Sequence, residues 1–139
     1  MSRSEPGTGD WIALYGSLMR GLGGMESLGI TQRLRYAGPC ICKGQLFDLG
    51  SYPGLRPGGS RVVGELHALL DPSVIDVLDE FEGYDATRPE QSLYLRERID
   101  LVEPEQTRAW IYVFNAVPDA STTVASGDWR AHLDSRDAR

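Results

Sequence analysis

One stretch of this chain carries a helical repeat with both ends marked, and it limits the fold more than any other feature. It runs from residue 71 to residue 85 and reads DPSVIDVLDEFEGYD. Asp71 followed by Pro72 is a helix start, because an aspartate side chain accepts from the first free N–H groups and proline suits the first helical position. Gly83 offers the stop, since glycine enters the left-handed conformation that closes a helix at no Cβ cost. At about 100° per residue, Val74, Ile75, Leu78 and Phe81 fall on one side, while Asp76, Asp79 and Glu80 point the other way. Glu82 breaks the segregation. It stands one turn after Leu78 and seven residues after Ile75, so its carboxylate lands on the apolar stripe. Two readings stand at this point. Either the helix frays before Glu82 and leaves one more surface acid, or the carboxylate is ordered and partly buried, with desolvation raising its pKa toward the range of a general base.

Around this helix the chain reads mainly as strands. Trp11–Tyr15 (WIALY) is a short apolar run of the buried-strand kind, and it breaks at once into GSLMRGLGG, with four glycines in nine residues. A strand ending in such a loop presents backbone N–H groups to a ligand, because glycine allows close approach and positive φ. The Gly-Lys-Ser/Thr ending of a nucleotide-binding loop is missing, so ordinary turn chemistry is the competing account. Met25–Ile30 has room for a helical turn or two. Tyr36–Leu49 alternates like a strand, with a break at Gly38–Pro39, and GSYPGLRPGG (residues 50–59) reads as loop. Val62–Leu70 reads as a further strand leading into Asp71. Tyr94–Val102 alternates, with Tyr94, Arg96, Arg98 and Asp100 on one face, and Trp110–Phe114 (WIYVF) is rich in β-formers. Residues 1–10 are polar and read as a disordered leader, residues 11–139 as one domain, and the chain from about Val117 as a polar tail with a lone aromatic, Trp129. The expected architecture is a closed or strongly bent sheet with a helix against it.

Charge narrows the partners. The net charge is −6, from 14 basic and 20 acidic residues, and eleven of the acids lie between Asp71 and Glu105 against three arginines. A phosphate-binding surface needs a basic patch, so nucleic acid and anionic membranes are not expected partners. No apolar run approaches the ~20 residues of a membrane span, and the first ten residues lack the apolar core of a signal peptide, which makes the cytoplasm the expected location. Cys40 and Cys42 are separated by one residue in an expected strand, a poor arrangement for a disulfide. With His67 and His132 far apart they form no recognisable metal site, and both read as structural thiols.

Taken together, several segments resemble the γ-glutamylcyclotransferase family in its small AIG2-like branch. YGSLMRG at Tyr15–Gly21 is similar to that family's opening loop, and GQLFDLGSYPGLRPG at Gly44–Gly58 to its next segment, with Phe47 where tyrosine is usual. VVGELHAL, LDEFEGYD, YLRERI and WIYVF follow in the family's order, so the likeness covers Trp11 to Phe114. It implies an α+β fold: a small mixed six-stranded β-barrel with one main helix and short helices packed outside. It also implies that Glu82, at the E-G-Y position, is the catalytic acid/base, whereas Glu80, the nearest competitor, lies on the solvent side of the wheel. The implied reaction closes a γ-glutamyl amide to 5-oxoproline and frees an amine, with no metal or organic cofactor. Tyr15, Gly16, Ser17, Leu18, Tyr94 and Arg96 are the expected substrate-binding residues, the loop amides serving either the oxyanion or the α-carboxylate. Arg96 has a competing role as a structural ion pair, and Tyr15 as a core residue. A small γ-glutamyl molecule is the expected partner, and the chain is expected to be a monomer or weak homodimer. Two rival readings keep the fold: a different substrate, either γ-glutamyl-ε-lysine fragments or a γ-glutamyl-protected intermediate of a biosynthetic pathway, and a non-catalytic small-ligand or protein-binding module. Phe47 and the extra Gly23–Gly24 depart from the family pattern near the expected pocket mouth.

Overall fold

Apolar runs that are not interrupted by polar residues become strands buried on both faces, and two of them form the middle of the sheet. The computed structural model of the chain describes residues 5–137. Strand β1 (Trp11–Leu14) lies between β3 (Pro53–Leu69), to which it is antiparallel, and β5 (Arg108–Phe114), to which it is parallel. Strand β2 (Leu34–Asp48) pairs with β3, and β4 (Tyr94–Asp100) with β5, so the order across the sheet is β2-β3-β1-β5-β4. The helices are α1 (Gly24–Leu28), α2 (Val74–Glu82) and α3 (Trp129–Asp137). Ile12, Leu46, Leu69, Leu78, Ile111 and Trp129 are among the most completely buried side chains of the single core.

The sheet has five strands rather than the expected six, and it is not closed into a barrel. Its two outer strands are β2 and β4. One antiparallel bridge, Ile41 to Glu103, ties the segment after β4 to β2 without making a strand of it. The largest difference from expectation is residues 50–59. They do not form a loop: the chain turns over residues 49–52, where the Leu49 N–H donates to the Tyr52 carbonyl at 3.0 Å, and re-enters the sheet at Pro53. Gln45 then faces Arg56 while Gly44 faces Ser60, so Pro57, Gly58 and Gly59 bulge out of the ladder. Proline at a first strand position and a Pro-Gly-Gly bulge are the two places where these residues are compatible with a sheet.

Both chain ends are more tightly held than the composition suggested. Residues 1–4 of the expected leader lie outside the described residues. Within residues 5–10, the Gly9 N–H donates to the Leu69 carbonyl at 2.8 Å, and buried Asp10 accepts from Trp110 Nε1 at 3.2 Å. The polar tail contains α3, and its lone aromatic is the anchor: Trp129 is 1% exposed. Helix α3 then reaches two places in the sheet. Arg130 pairs with buried Glu65 of β3 at 3.1 Å, while His132 and Arg136 meet Asp48 at the end of β2 at 2.8 and 3.2 Å. Among the described residues, no helix is long and apolar enough to cross a membrane.

Removing the indole should therefore unfold more than a tail. Trp129→Ala is expected to cost about 3–5 kcal/mol of stability, the range for emptying a buried aromatic site. Urea denaturation measures it, and a loss under about 1 kcal/mol would make α3 peripheral to the core.

Candidate active site

The end of α2 is built as its sequence requires. Gly83 adopts φ 70°, and its N–H and that of Tyr84 return to the last helical carbonyls, the Tyr84 N–H to Asp79 O at 2.9 Å. This left-handed stop follows Glu82 directly, so Glu82 is the last helical residue and is not frayed. The start differs in detail: residues 71–73 form a turn ahead of the helix, with Asp71 Oδ1 accepting from the Ser73 N–H at 3.0 Å. Val74, Ile75 and Leu78 are buried as the wheel requires. Phe81, placed by the wheel on the same stripe, is instead 45% exposed at the end of the helix.

Asp79 also departs from the wheel. It is directed at the sheet, where its carboxylate accepts from the Tyr112 hydroxyl at 2.7 Å and pairs with Arg96 Nη1. Hydrophobic periodicity ranks aspartate as solvent-facing, and no pattern within the helix signals that β4 and β5 offer it two donors. Arg96 is thereby committed. Its Nη2 meets Glu5 at 3.2 Å, its guanidinium lies 5.2 Å from the Tyr84 ring centre, and it is absent from the cavity wall. The expected substrate-binding role of Arg96 gives way to the ion pair.

The other expected residues come together. A cavity of about 340 Å³ is lined by Tyr15, Gly16, Ser17 and Leu18 from the loop after β1, by Glu82 and Phe81 from α2, and by Tyr94 and Tyr112 from β4 and β5. Ser51, Tyr52 and Pro53, from the turn between β2 and β3, close a further side. Sequence reasoning missed this last group by reading residues 50–59 as loop, and it missed Tyr112 by reading WIYVF only as a strand. The volume suits a small molecule.

The loop is shaped so that several donors stay unspent. Gly16 has no room for a side chain, since a Cβ there would come within 2.9 Å of Pro53 Cγ. The Met19 N–H turns back to Gly16 O at 2.9 Å, and the Gly24 N–H reaches Ser17 O at 3.1 Å. The N–H groups of Gly16, Ser17 and Leu18 take no part in these closing bonds, and among the described residues they donate to no backbone carbonyl outside the strand ladders. Past them the loop is pinned by Glu65, which accepts the Arg20 N–H at 2.9 Å and which Arg130 of α3 also holds. A second brace from α3 grips the turn that carries Ser51–Pro53, where Arg136 Nη1 donates to Gly50 O at 3.0 Å.

Three of the four cavity tyrosines have already committed their protons. Tyr15 donates to Tyr112 O at 2.6 Å, Tyr94 to Pro53 O at 2.6 Å, and Tyr112 to Asp79. Burial is the largest cause holding all three phenols well above their ordinary pKa, and the nearby Glu82 carboxylate adds to it. They are neutral walls. Glu82 is different. Among the described residues nothing donates a hydrogen bond to its carboxylate and no cation pairs with it, and burial alone pushes its pKa up to about 7. An uncompensated acid inside a cavity is where a function is to be sought. The buried thiols of Cys40 and Cys42 lie elsewhere, pushed up to about 12 and about 11 mainly by burial. Among the described residues no group of three His, Cys, Asp or Glu side chains is placed to hold a metal ion.

Comparison with known proteins gives the family and the fold. The family model described as gamma-glutamyl cyclotransferase, AIG2-like, matches residues 12–131. The chain is similar to the gamma-glutamylcyclotransferase family protein YtfP of Escherichia coli K12, at 30% identity over 118 residues, covering 85% of this chain and 94% of that one. Its fold is similar to the solution structure of ytfP from Escherichia coli (TM-score 0.62, 30% identity, 88% of this chain and 98% of that one). It is also similar to the crystal structure of an aig2-like protein from Mus musculus (TM-score 0.67, 20% identity, 88% and 89%).

The site should leave a mark on stability. A carboxyl whose folded-state pKa is raised from 4.5 to about 7 ionises more readily in the unfolded chain, so stability is lost as pH climbs from about 4.5 through 7 and stays lost above. Glu82→Gln is expected to match the parent chain near pH 4 and to exceed it at pH 8 by on the order of 2–3 kcal/mol. Thermal unfolding across that range measures the gap, and equal stability at both pH values would place Glu82 in bulk solvent.

Proposed function

The chain belongs to the gamma-glutamyl cyclotransferase, AIG2-like family, and from that premise we propose that it closes a γ-glutamyl amide to 5-oxoproline and releases the amine, with Glu82 as its acid/base. The observation that carries this reading is the unpaired Glu82 carboxylate inside the cavity, opposite the loop with unspent N–H groups.

A γ-glutamyl amide contains its own nucleophile. Its α-amino nitrogen forms a bond to the side-chain carbonyl carbon, the carbonyl electrons move onto oxygen, and their return expels the amine nitrogen and leaves a five-membered lactam. Because both reactants belong to one molecule, holding the chain folded back supplies several kcal/mol of the barrier. The α-ammonium gives up two protons in all. Glu82 accepts the first, so that the amine can attack, and delivers it to the departing nitrogen. The second, lost from the attacking nitrogen as the lactam forms, leaves with the amine as its ammonium ion. Acid/base work of this kind is typically worth 10²–10⁴-fold. A pKa of about 7 suits a group that takes and returns one proton near neutrality. The Gly16, Ser17 and Leu18 amides give three donors for the two anionic sites of the substrate, its α-carboxylate and the transient oxyanion. Tyr15 and Tyr94 act here as walls that keep water out, since each hydroxyl already bonds a backbone carbonyl. That water exclusion is what keeps Glu82 from becoming an ordinary acid.

Glu82→Gln is expected to fold and to lower 5-oxoproline release from a γ-glutamyl amide by at least 10²-fold. Turnover within a few-fold of the parent chain would remove Glu82 from the mechanism. For the unsubstituted protein, kcat/KM should fall about tenfold per pH unit below 7 as Glu82 takes up its proton. A flat profile from pH 5 to 8 would contradict the assigned role.

A further inference from the structure

Glu65, on β3, is a buried acid that the sheet itself does not call for. It is 7% exposed and stands outside the cavity wall. Its Oε1 accepts the Arg20 main-chain N–H at 2.9 Å and faces His67 Nε2 at 3.2 Å. Its Oε2 meets Arg130 Nη2 at 3.1 Å and Arg20 Nε at 3.5 Å. Burial holds the His67 ring below its ordinary pKa, and its buried Nδ1 has no partner, so the ring is neutral and carries its proton on the nitrogen that faces Glu65. Four donors thus converge on one carboxylate. A buried ion pair is a poor source of stability, since well-packed apolar residues of the same volume do as well or better. Stability alone therefore gives no reason for a glutamate here.

Its position relative to the loop gives one. In the ladder Glu65 stands opposite Leu14, the last residue of β1, and its side chain takes the N–H of Arg20 on the far side of the loop. One residue thus holds the loop at its entry, through strand register, and at its exit, through its carboxylate. Gly16, Ser17 and Leu18 lie between these two ties. The bonds from the Met19 N–H to Gly16 O and from the Gly24 N–H to Ser17 O are internal to the loop, so they fix its shape but not its direction. Among the described residues no other side chain of the sheet accepts from residues 16–24. The Arg20 and Arg130 side chains are 53% and 42% exposed and can turn to water, whereas a main-chain N–H points where the backbone sends it. The bond to the loop is the one part of this network that solvent does not replace.

Resting on the cyclisation proposed above, we infer that Glu65 is a positioning residue for that reaction. Through its bond to the Arg20 N–H it sets the direction in which Gly16, Ser17 and Leu18 present their N–H groups to the anionic atoms of the substrate, and it does not itself touch substrate. The operative part is the acceptor oxygen and not the charge. A displacement of about 1 Å in groups that orient a substrate is enough to cost on the order of 10²-fold in rate, so a bond outside the cavity has a kinetic effect inside it.

The test uses the full chain and whichever of three compounds the parent converts fastest to 5-oxoproline: γ-glutamylalanine, γ-glutamyl propylamide, or the γ-glutamyl amide of the lysine ε-nitrogen. Glu65→Met keeps the bulk and removes the acceptor. Glu65→Gln keeps an oxygen for the Arg20 N–H and His67 and removes the charge. The expected result is a fall in kcat/KM of at least tenfold in the methionine variant and of no more than about threefold in the glutamine variant, although both lose the charge that holds Arg130. The inflexion of kcat/KM with pH should stay where the parent has it in both, because the surroundings of Glu82 are untouched. Glu65→Asp, which keeps the charge and withdraws the acceptor by one methylene, gives the same readout as methionine should that variant not fold. A smaller loss in the folded methionine or aspartate variant would make Glu65 a purely structural residue and overturn the inference. A glutamine loss as large as the methionine loss, or a displaced inflexion, would overturn it too, and each of these results leaves the cyclising reading standing. Absence of 5-oxoproline from the parent with all three compounds would overturn that reading, and this inference with it.

Discussion

The Asp79 carboxylate receives the Tyr112 hydroxyl from β5 and pairs with the Arg96 guanidinium from β4, and this double contact fixes where α2 lies on the sheet. Apolar burial alone does not fix it so closely. Val74, Ile75 and Leu78 would tolerate a small slide or roll of the helix, since hydrophobic contact is non-directional, whereas charge-assisted hydrogen bonds are not. Breaking one partner leaves a partly buried charge unsatisfied, which costs more than the bond contributes when intact. Glu82 follows Asp79 by three residues, nearly one helical turn, so whatever holds Asp79 against the strands also sets the height at which Glu82 enters the cavity.

Two acids on one short helix thus have opposite surroundings. Asp79 has a cation and a hydroxyl, while Glu82 has tyrosines whose hydroxyl protons are already given to Asp79 or to backbone carbonyls. Arg96 is spent on Asp79 and Glu5 and stands outside the cavity wall, so the burial of Glu82 is not offset by that cation. Leaving Glu82 unpaired lowers stability at neutral pH. That is the usual relation between a fold and a reactive group set inside it.

Local readings in the sequence survive where the residue's own chemistry decides. The stop at Gly83 was legible because a left-handed residue is needed there, and the buried runs of β1 and β5 because β-branched and aromatic residues have few alternatives. The oddly placed Glu82 was visible on the wheel, and the loop residues Tyr15–Leu18 could be paired with it only through family resemblance. What failed depended on partners far along the chain. Asp79 and Arg96 are 17 residues apart, and each appeared to have a different purpose until the strands brought them together. Residues 53–59 have the composition of a loop, and only pairing with β2 across a bulge makes them strand. The five-stranded open sheet was beyond reach for the same reason, since closure depends on whether outer strands meet and not on what any strand contains.

Helix α3 supports both flanks of the cavity, through Arg130 and Glu65 on the loop side, and through Asp48 and Gly50 on the side of the turn. In chain order it follows every element it supports. A nascent chain emerging from the ribosome therefore exposes the glycine loop, the acid and all five strands while the residues that brace them are still in the exit tunnel. Domains form as units once their contacts are available, so the site is completed after translation of its own residues has ended. Until then the loop and the turn on either side of the cavity lack the braces that α3 supplies.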